Sequence, residues 1–266
     1  MSDPLLKVTD LKIEFKRKGE PFRAVRGVSF VLHAGERLGL VGESGSGKTL
    51  TAKTVMGLIG TRRHESVTGS IRWRDKERCG RREADWLKLR GTEMAMVFQD
   101  PMTALNPLMR VGDQIAEIPY FHENLSWKAA RARAVEALEQ TGIKDAARRA
   151  RAYPHQFSGG MRQRVVLAAA LIGNPSLLIA DEPTTALDVT VQDRLLRQMR
   201  DLCEARDTAL LFISHDLHVV RSLCERIAVM RQGEIVETGL TRDVFTSPQH
   251  PYTRKLLDAT PGIPQP

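Results

Sequence analysis

The sequence predicts an α/β domain: a parallel-sheet core, an antiparallel β lobe ahead of it and a helical subdomain inserted into it. Three observations carry this. An apolar stretch over 36–41 runs into Gly42-Glu43-Ser44-Gly45-Ser46-Gly47-Lys48-Thr49, and a helix-forming segment follows over 49–58. Apolar runs of buried-strand length recur at 94–98, 177–182 and 209–213, each ending in polar residues. Between the first two of these, residues 105–153 hold little β-branched apolar sequence and take helical patterning.

Taken in order, 5–15 carries Leu6, Val8, Leu11, Ile13 and Phe15 in loose alternation and reads as a strand. Lys16-Arg17-Lys18-Gly19-Glu20-Pro21 reads as a turn and 25–32 as a second strand, which makes the β lobe. After the glycine loop and its helix, 69–73 reads as an edge strand and the charged stretch 74–90 as a solvated loop and helix. The helical insert holds patterns over 111–118 and 126–141, the latter capped by Ser126, with Pro107, Pro119 and Pro154 marking its breaks. Ser158-Gly159-Gly160 opens a further long helix. A helix over 190–205 follows, then a hairpin of 226–230 and 234–237 around Gln232-Gly233, and a proline-rich, partly helical tail over 241–266.

At 266 residues the chain has room for one large α/β domain with an inserted subdomain. Forty Lys and Arg against 32 Asp and Glu give a net charge of +8, which suits nucleic acid, an anionic membrane face or a nucleotide. Aromatic residues are 5% and are not interleaved with the basic ones, which argues against a platform for single-stranded nucleic acid. Much of the excess lies in Arg-rich helical stretches such as 131–151, expected to be solvated faces. Cys79, Cys203 and Cys224 are widely spaced and form no C-x-x-C pair, so neither a zinc site nor a disulfide framework is expected. No signal peptide is read at the start, and no window approaches 18 uninterrupted apolar residues. Work at a membrane would therefore go through a partner.

The glycine loop fits G-x-x-x-x-G-K-[ST], the phosphate-binding loop, in the strand–turn–helix context the motif needs. Gly42, Gly45 and Gly47 permit positive φ and keep Cβ atoms from standing between the backbone and a ligand. The loop N–H groups, with the helix dipole behind them, can then surround phosphate oxygens. Lys48 would reach the β- and γ-phosphates and Thr49 would offer its hydroxyl to Mg²⁺; Glu43, Ser44, Ser46 and Leu50 complete the nucleotide-binding stretch. Asp181 and Glu182 end a buried strand, where an Asp can hold the Mg²⁺ shell and a Glu can polarise an attacking water. Gln99 stands just past another buried strand, facing the crevice where α/β sheets collect ligands. Phe15 or Phe22 is placed to stack on adenine, and either fits equally as core.

The loop with Lys48, then Gln99, Ser158-Gly159-Gly160, Asp181-Glu182, Asp188 and His215, in this order on one strand–helix frame, resembles the ATP-binding subunit of ABC transporters. The likeness runs from about residue 5 to 257. Gln99-Asp100-Pro101-Met102-Thr103-Ala104-Leu105-Asn106-Pro107, Tyr153-Pro154-His155-Gln156-Phe157-Ser158-Gly159-Gly160-Met161 and Ser247-Pro248-Gln249-His250-Pro251-Tyr252-Thr253 look like the oligopeptide, dipeptide and nickel importer branch.

The resemblance implies a P-loop NTPase (RecA-like) core, with the β lobe and core over about 5–104 and 165–240, the helical subdomain over 105–164 and a tail over 241–266. It implies that Gln99 touches the Mg²⁺ and γ-phosphate region and senses the membrane partner. Ser158, Gly159 and Gly160 become the signature segment, Asp181 the Mg²⁺-holding aspartate, Glu182 the general base, Ala186-Leu187-Asp188 the D-loop and His215 the switch histidine. Phe15 most nearly matches the adenine-stacking aromatic. Phe157 and Met161 replace the commoner Leu and Gln of the signature, while its serine and glycines are intact. The cysteine-rich extension frequent in this branch is not met before Pro266, so no iron–sulfur cluster is expected.

As function, the resemblance implies an ATPase driving import, with ATP and Mg²⁺, at the cytoplasmic face of the inner membrane. Two such subunits would pack head to tail, the signature of one closing over the nucleotide of the other. The second subunit, identical or different, two transmembrane permease subunits and an extracytoplasmic solute-binding protein are the expected partners, with no nucleic acid among them. Peptide is the expected solute, with nickel or another small solute as the alternative. A soluble ABC-type ATPase acting on nucleic acid or ribosomes is a further reading, though the long coiled-coil insert or second cassette of such proteins is absent.

Overall fold

The computed structural model describes residues 3–16, 20–60, 65–185, 187–260 and 262, leaving out the side chains of Pro101 and Met102. Arg17, Lys18 and Gly19 of the expected turn, Ala186 of the expected D-loop, and 263–266 of the tail lie outside the described residues. In chain order the elements are β1 (Leu6–Phe15), β2 (Phe22–Leu32), β3 (Arg37–Val41), α1 (Lys48–Val55), β4 (Glu65–Trp73), β5 (Lys76–Glu77) and α2 (Glu83–Leu87). Then come β6 (Met94–Val97), α3 (Pro101–Ala104), α4 (Val111–His122), α5 (Trp127–Gln140), α6 (Ala146–Arg149), α7 (Gly159–Leu171), β7 (Leu177–Asp181) and α8 (Val189–Glu204). The chain closes with β8 (Ala209–Ser214), α9 (Leu217–Leu223), β9 (Arg226–Arg231), β10 (Glu234–Leu240), α10 (Thr241–Thr246) and α11 (Pro251–Asp258).

The described residues of 1–87 and 209–266 form one compact unit and those of 88–208 another. In the first, β2-β1-β4-β5 is the expected antiparallel lobe. Its alternation buries Leu6, Val8, Leu11 and Ile13 while Lys7 and Thr9 face out. The same unit lays β3 parallel to both β8 and β9, with β10 antiparallel on β9. β8 is buried at every position, the mark of a strand covered on both faces. In the hairpin turn between β9 and β10, Gln232 and Gly233 both take positive φ (48° and 87°), as a two-residue turn that follows sheet twist requires. In the second unit β6 runs parallel to β7, both wholly buried, with α4, α5 and α7 among its helices.

Three expectations are corrected. The strand expected at 69–73 is longer and is not an edge at its end: β4 starts at Glu65, pairs with β1 along its length, and carries β5 on its other side only at Arg72 and Trp73. β-branched Val67 and Thr68 extend it, and the tight turn through Arg74 and Asp75 (φ 44° and 62°) folds β5 back onto it. Pro119 does not end α4, which runs on to His122. A proline removes one helical hydrogen bond, and here the following turn is held by Tyr120 packing edge-on to Trp127, ring centroids 5.0 Å apart. The charged stretch 74–90 is not wholly solvated, because α2 buries Trp86 against Gly57, where a Cβ would come within 2.2 Å of the indole.

Candidate functional site: a phosphate loop and a carboxylate–amide pair

β3 is a short buried strand ending at Val41, and the chain turns there through Gly42 (φ 150°) to Gly47 (φ 105°) into α1. Gly47 caps α1 without a side-chain hydrogen bond, and the positive end of the helix dipole faces the loop, where an anion is favoured. Glu43, Ser44 and Gly45 are exposed and form the open arch, and a Cβ on Gly45 would meet nothing within 4 Å. Lys48 is 4% exposed, and its ammonium donates to the Gly42 carbonyl at 2.7 Å and the Glu43 carbonyl at 2.9 Å. Ser46 is also buried, with an Oγ that has no hydrogen-bond partner. A buried cation, an unsatisfied hydroxyl and an uncapped helix end together fit a polyphosphate.

All three loop glycines take the expected positive φ, and two of them meet a second demand as well. A Cβ on Gly42 would lie 2.0 Å from the Met230 carbonyl oxygen, and one on Gly47 2.9 Å from the Ala24 carbonyl oxygen. Positive φ and crowding by neighbouring backbone from within the fold both call for glycine at 42 and 47; of the three, only Gly45 faces open space.

His215 follows β8 as Lys48's loop follows β3, and these strands are neighbours with Val41 opposite Ser214. His215 is exposed in a tight cap: the Ser214 Oγ accepts from the Asp216 N–H (2.9 Å), and Asp216 in turn caps α9. Phe15 and Phe22 are direct cross-strand partners at the end of the lobe, Phe15 half-buried and Phe22 exposed.

The second unit holds the other candidates. β6 and β7 pair Val97 with Ala180, so Gln99 and Glu182 leave neighbouring strand ends. The Gln99 amide donates to Glu182 Oε2 at 3.3 Å, and the Thr185 hydroxyl donates to the same oxygen at 3.1 Å. Glu182 holds φ at 47°, a left-handed conformation that a glutamate adopts at a cost of about 1 kcal/mol or more. Asp181, one residue before it, is 2% exposed. Ser158 caps α7 by accepting from the Met161 N–H (3.4 Å), and Asp188 caps α8 by accepting from the Val191 N–H (3.0 Å). A Cβ on Gly159 would stand in open space, while one on Gly160 would come within 2.6 Å of Val191, so α7 and α8 approach closely at their N-termini. Sequence reasoning missed two supports of the phosphate loop: the Gly233 N–H that donates to the Ser46 carbonyl (2.9 Å), and the Tyr252 hydroxyl that accepts from the Glu43 N–H (3.2 Å). Tyr252 stood in a quoted stretch, but nothing in the sequence marks a contact across 209 residues.

Residues 25–185 match the model of the ABC transporter family. The chain belongs to the ABC transporter family. Residues 236–266 of this ABC protein match a second model, the oligopeptide/dipeptide transporter C-terminal region. It is 49% identical over 259 residues to the oligopeptide transport ATP-binding protein AppD of Bacillus subtilis, covering 97% of this chain and 79% of that one. It is 51% identical to the oligopeptide transport ATP-binding protein OppD of the same organism, covering 97% and 72%. Among solved structures it resembles a dimeric ATP-binding cassette in a post-hydrolysis state bound to ADP and Pi, with a TM-score of 0.79 and 27% identity, covering 89% of this chain and 99% of that one. The P-loop core expected from the sequence is thus the fold of this ABC protein. Among the described residues no helix is long and apolar enough to cross a membrane.

Proposed function

We propose that this chain is the ATP-hydrolysing motor subunit of a membrane importer for peptides. The observation that carries the reading is the buried Lys48 at an uncapped helix end, in a chain of the ABC family whose 236–266 segment matches the peptide-transporter C-terminal region. The loop N–H groups and Lys48 bind the phosphates, and Phe15, paired with Phe22, faces the base. Phosphoryl transfer needs placement and charge stabilisation above all, which a backbone cradle supplies.

Among the described residues no group of three or more His, Cys, Asp or Glu forms a self-contained metal site. Thr49, Asp181 and Gln99 are the residues that would hold Mg²⁺ beside the phosphates. Mg²⁺ held by them would supply neutralisation of the phosphate charge. Glu182 takes the proton of the attacking water, and His215 contacts the γ-phosphate. The Gln99 and Thr185 donors hold Glu182 in one orientation until that water arrives.

Ser158, Gly159, Gly160 and Asp188 serve the nucleotide of a second ATPase subunit, head to tail. That division of labour accords with a core of about 5–104 and 165–240, a helical subdomain over 105–164 and a tail over 241–266. Two permease subunits and, through them, a solute-binding protein complete the assembly, with this chain peripheral on the cytoplasmic face. Deleting the gene should abolish uptake of labelled di- and oligopeptides and leave nickel uptake intact. The opposite pattern would replace peptide by metal as the solute, and loss of neither would remove the importer reading.

A further inference from the structure

The peptide unit joining Gly42 to Glu43 is gripped at both ends. Its carbonyl accepts from the Lys48 ammonium at 2.7 Å, and its N–H donates to the Tyr252 hydroxyl at 3.2 Å. Because the unit is planar, fixing the N–H fixes the direction of the carbonyl that holds Lys48. The Gly233 support comes from the β9–β10 hairpin of the sheet, whereas Tyr252 comes from α11, beyond the end of that sheet.

Tyr252 is itself held closely. It is 5% exposed, and the Arg231 guanidinium lies over its ring, 4.9 Å from the centroid. The turn before it is anchored on β10, where the Glu237 carboxylate accepts from the Gln249 N–H (2.7 Å) and the His250 N–H (3.0 Å). His250 Nδ1 then caps α11 by accepting from the Tyr252 N–H (3.1 Å). Burial, with the Glu43 charge adding to it, holds the phenol above its ordinary range, so the hydroxyl keeps its proton.

We infer that Tyr252 is a positioning residue for the phosphate loop, and that through it the C-terminal segment of this chain is coupled to nucleotide affinity. Loop N–H and ammonium directions must be set before the phosphates arrive for the cradle to bind well. The shoulder at Glu43 is exposed and lacks a sheet neighbour to do this, so α11 does it. Coupling of this kind is reciprocal: a partner that draws α11 away weakens ATP binding, and ATP steadies α11. The inference rests on the nucleotide-binding reading above.

Tyr252→Phe removes the hydroxyl and keeps the ring beneath Arg231. Calorimetry should find ATP affinity about 3- to 10-fold weaker, because the hydroxyl's hydrogen bonding to Glu43 is lost from a loop that must then reorient. The KM for ATP should rise by the same factor, with kcat falling by less. The thermal midpoint without nucleotide should stay within about 2 °C, a shift too small for a general loss of packing. Hydrogen exchange gives a second readout: ATP should slow amide exchange over 249–258 in the wild type and do so far less in Tyr252→Phe. Wild-type ATP binding with an unchanged affinity in the variant and no ATP effect on 249–258 overturns the inference alone. A wild type that binds no ATP overturns the nucleotide reading and this inference with it.

Discussion

Replacing Lys48 by alanine separates binding from folding at the phosphate loop. Lys48 is 4% exposed, and its ammonium donates over short distances, 2.7 and 2.9 Å, to the Gly42 and Glu43 carbonyls. A unit charge about 4 Å from an anion is worth about 4 kcal/mol at an effective dielectric of about 20. A charge-assisted hydrogen bond is worth about 1.5–3 kcal/mol. Taking about 3 kcal/mol as the share lost with Lys48, ATP affinity should fall by about 100-fold or more, at 1.4 kcal/mol per tenfold. Without nucleotide the same substitution removes the bonds to the Gly42 and Glu43 carbonyls but also the cost of burying an ammonium. These oppose each other, so the midpoint of thermal unfolding should move by only a few degrees. Titration calorimetry with ATP and Mg²⁺, beside a thermal melt of the nucleotide-free protein, reads both quantities. Affinity within about threefold of wild type in a protein that melts normally would refute the reasoning, because the buried charge would then have no phosphate to meet.

Glu182→Gln should bind ATP as wild type yet lose turnover by about 100-fold or more, since an amide cannot take the proton of water; near-normal hydrolysis would return the role of base to Gln99 or His215. Ser158→Arg should bind ATP but not hydrolyse it, and mixing it with Lys48→Ala should restore part of the activity. Verified mixed dimers that stay silent, when a single intact site is known to turn over, would show that Ser158 does not serve the partner's nucleotide. Burial pushes the Cys224 thiol well above its ordinary range, Cys203 is buried, and the half-exposed Cys79 is raised by burial and then by Glu77. Iodoacetamide at pH 8 should therefore label at most Cys79, slowly, in the native protein and all three after unfolding. Fast native labelling of Cys224 would contradict the packing of α9.

What the sequence determined by itself is local. The strand–glycine loop–helix at 36–58, the buried strands ending at Gln99, Asp181 and His215, and the Ser126 and Ser158 caps are each written in a few contiguous residues. Apolar run length, cap chemistry and positive-φ glycines act over one turn or one strand, so they survive being read without a partner. The β4 boundary and the continuation of α4 through Pro119 were decided by a neighbour instead, β1 and β5 in one case and Trp127 in the other. Tertiary structure added a second reason for the glycines at 42 and 47 beyond their positive φ, since the Met230 and Ala24 carbonyls that crowd them are distant in sequence. The Gln99–Glu182 hydrogen bond and the Tyr252 hold on Glu43 join residues 83 and 209 positions apart. No periodicity or propensity reports such pairs, because a hydrogen bond between remote segments exists only once sheet register and helix docking have brought its two atoms within about 3 Å.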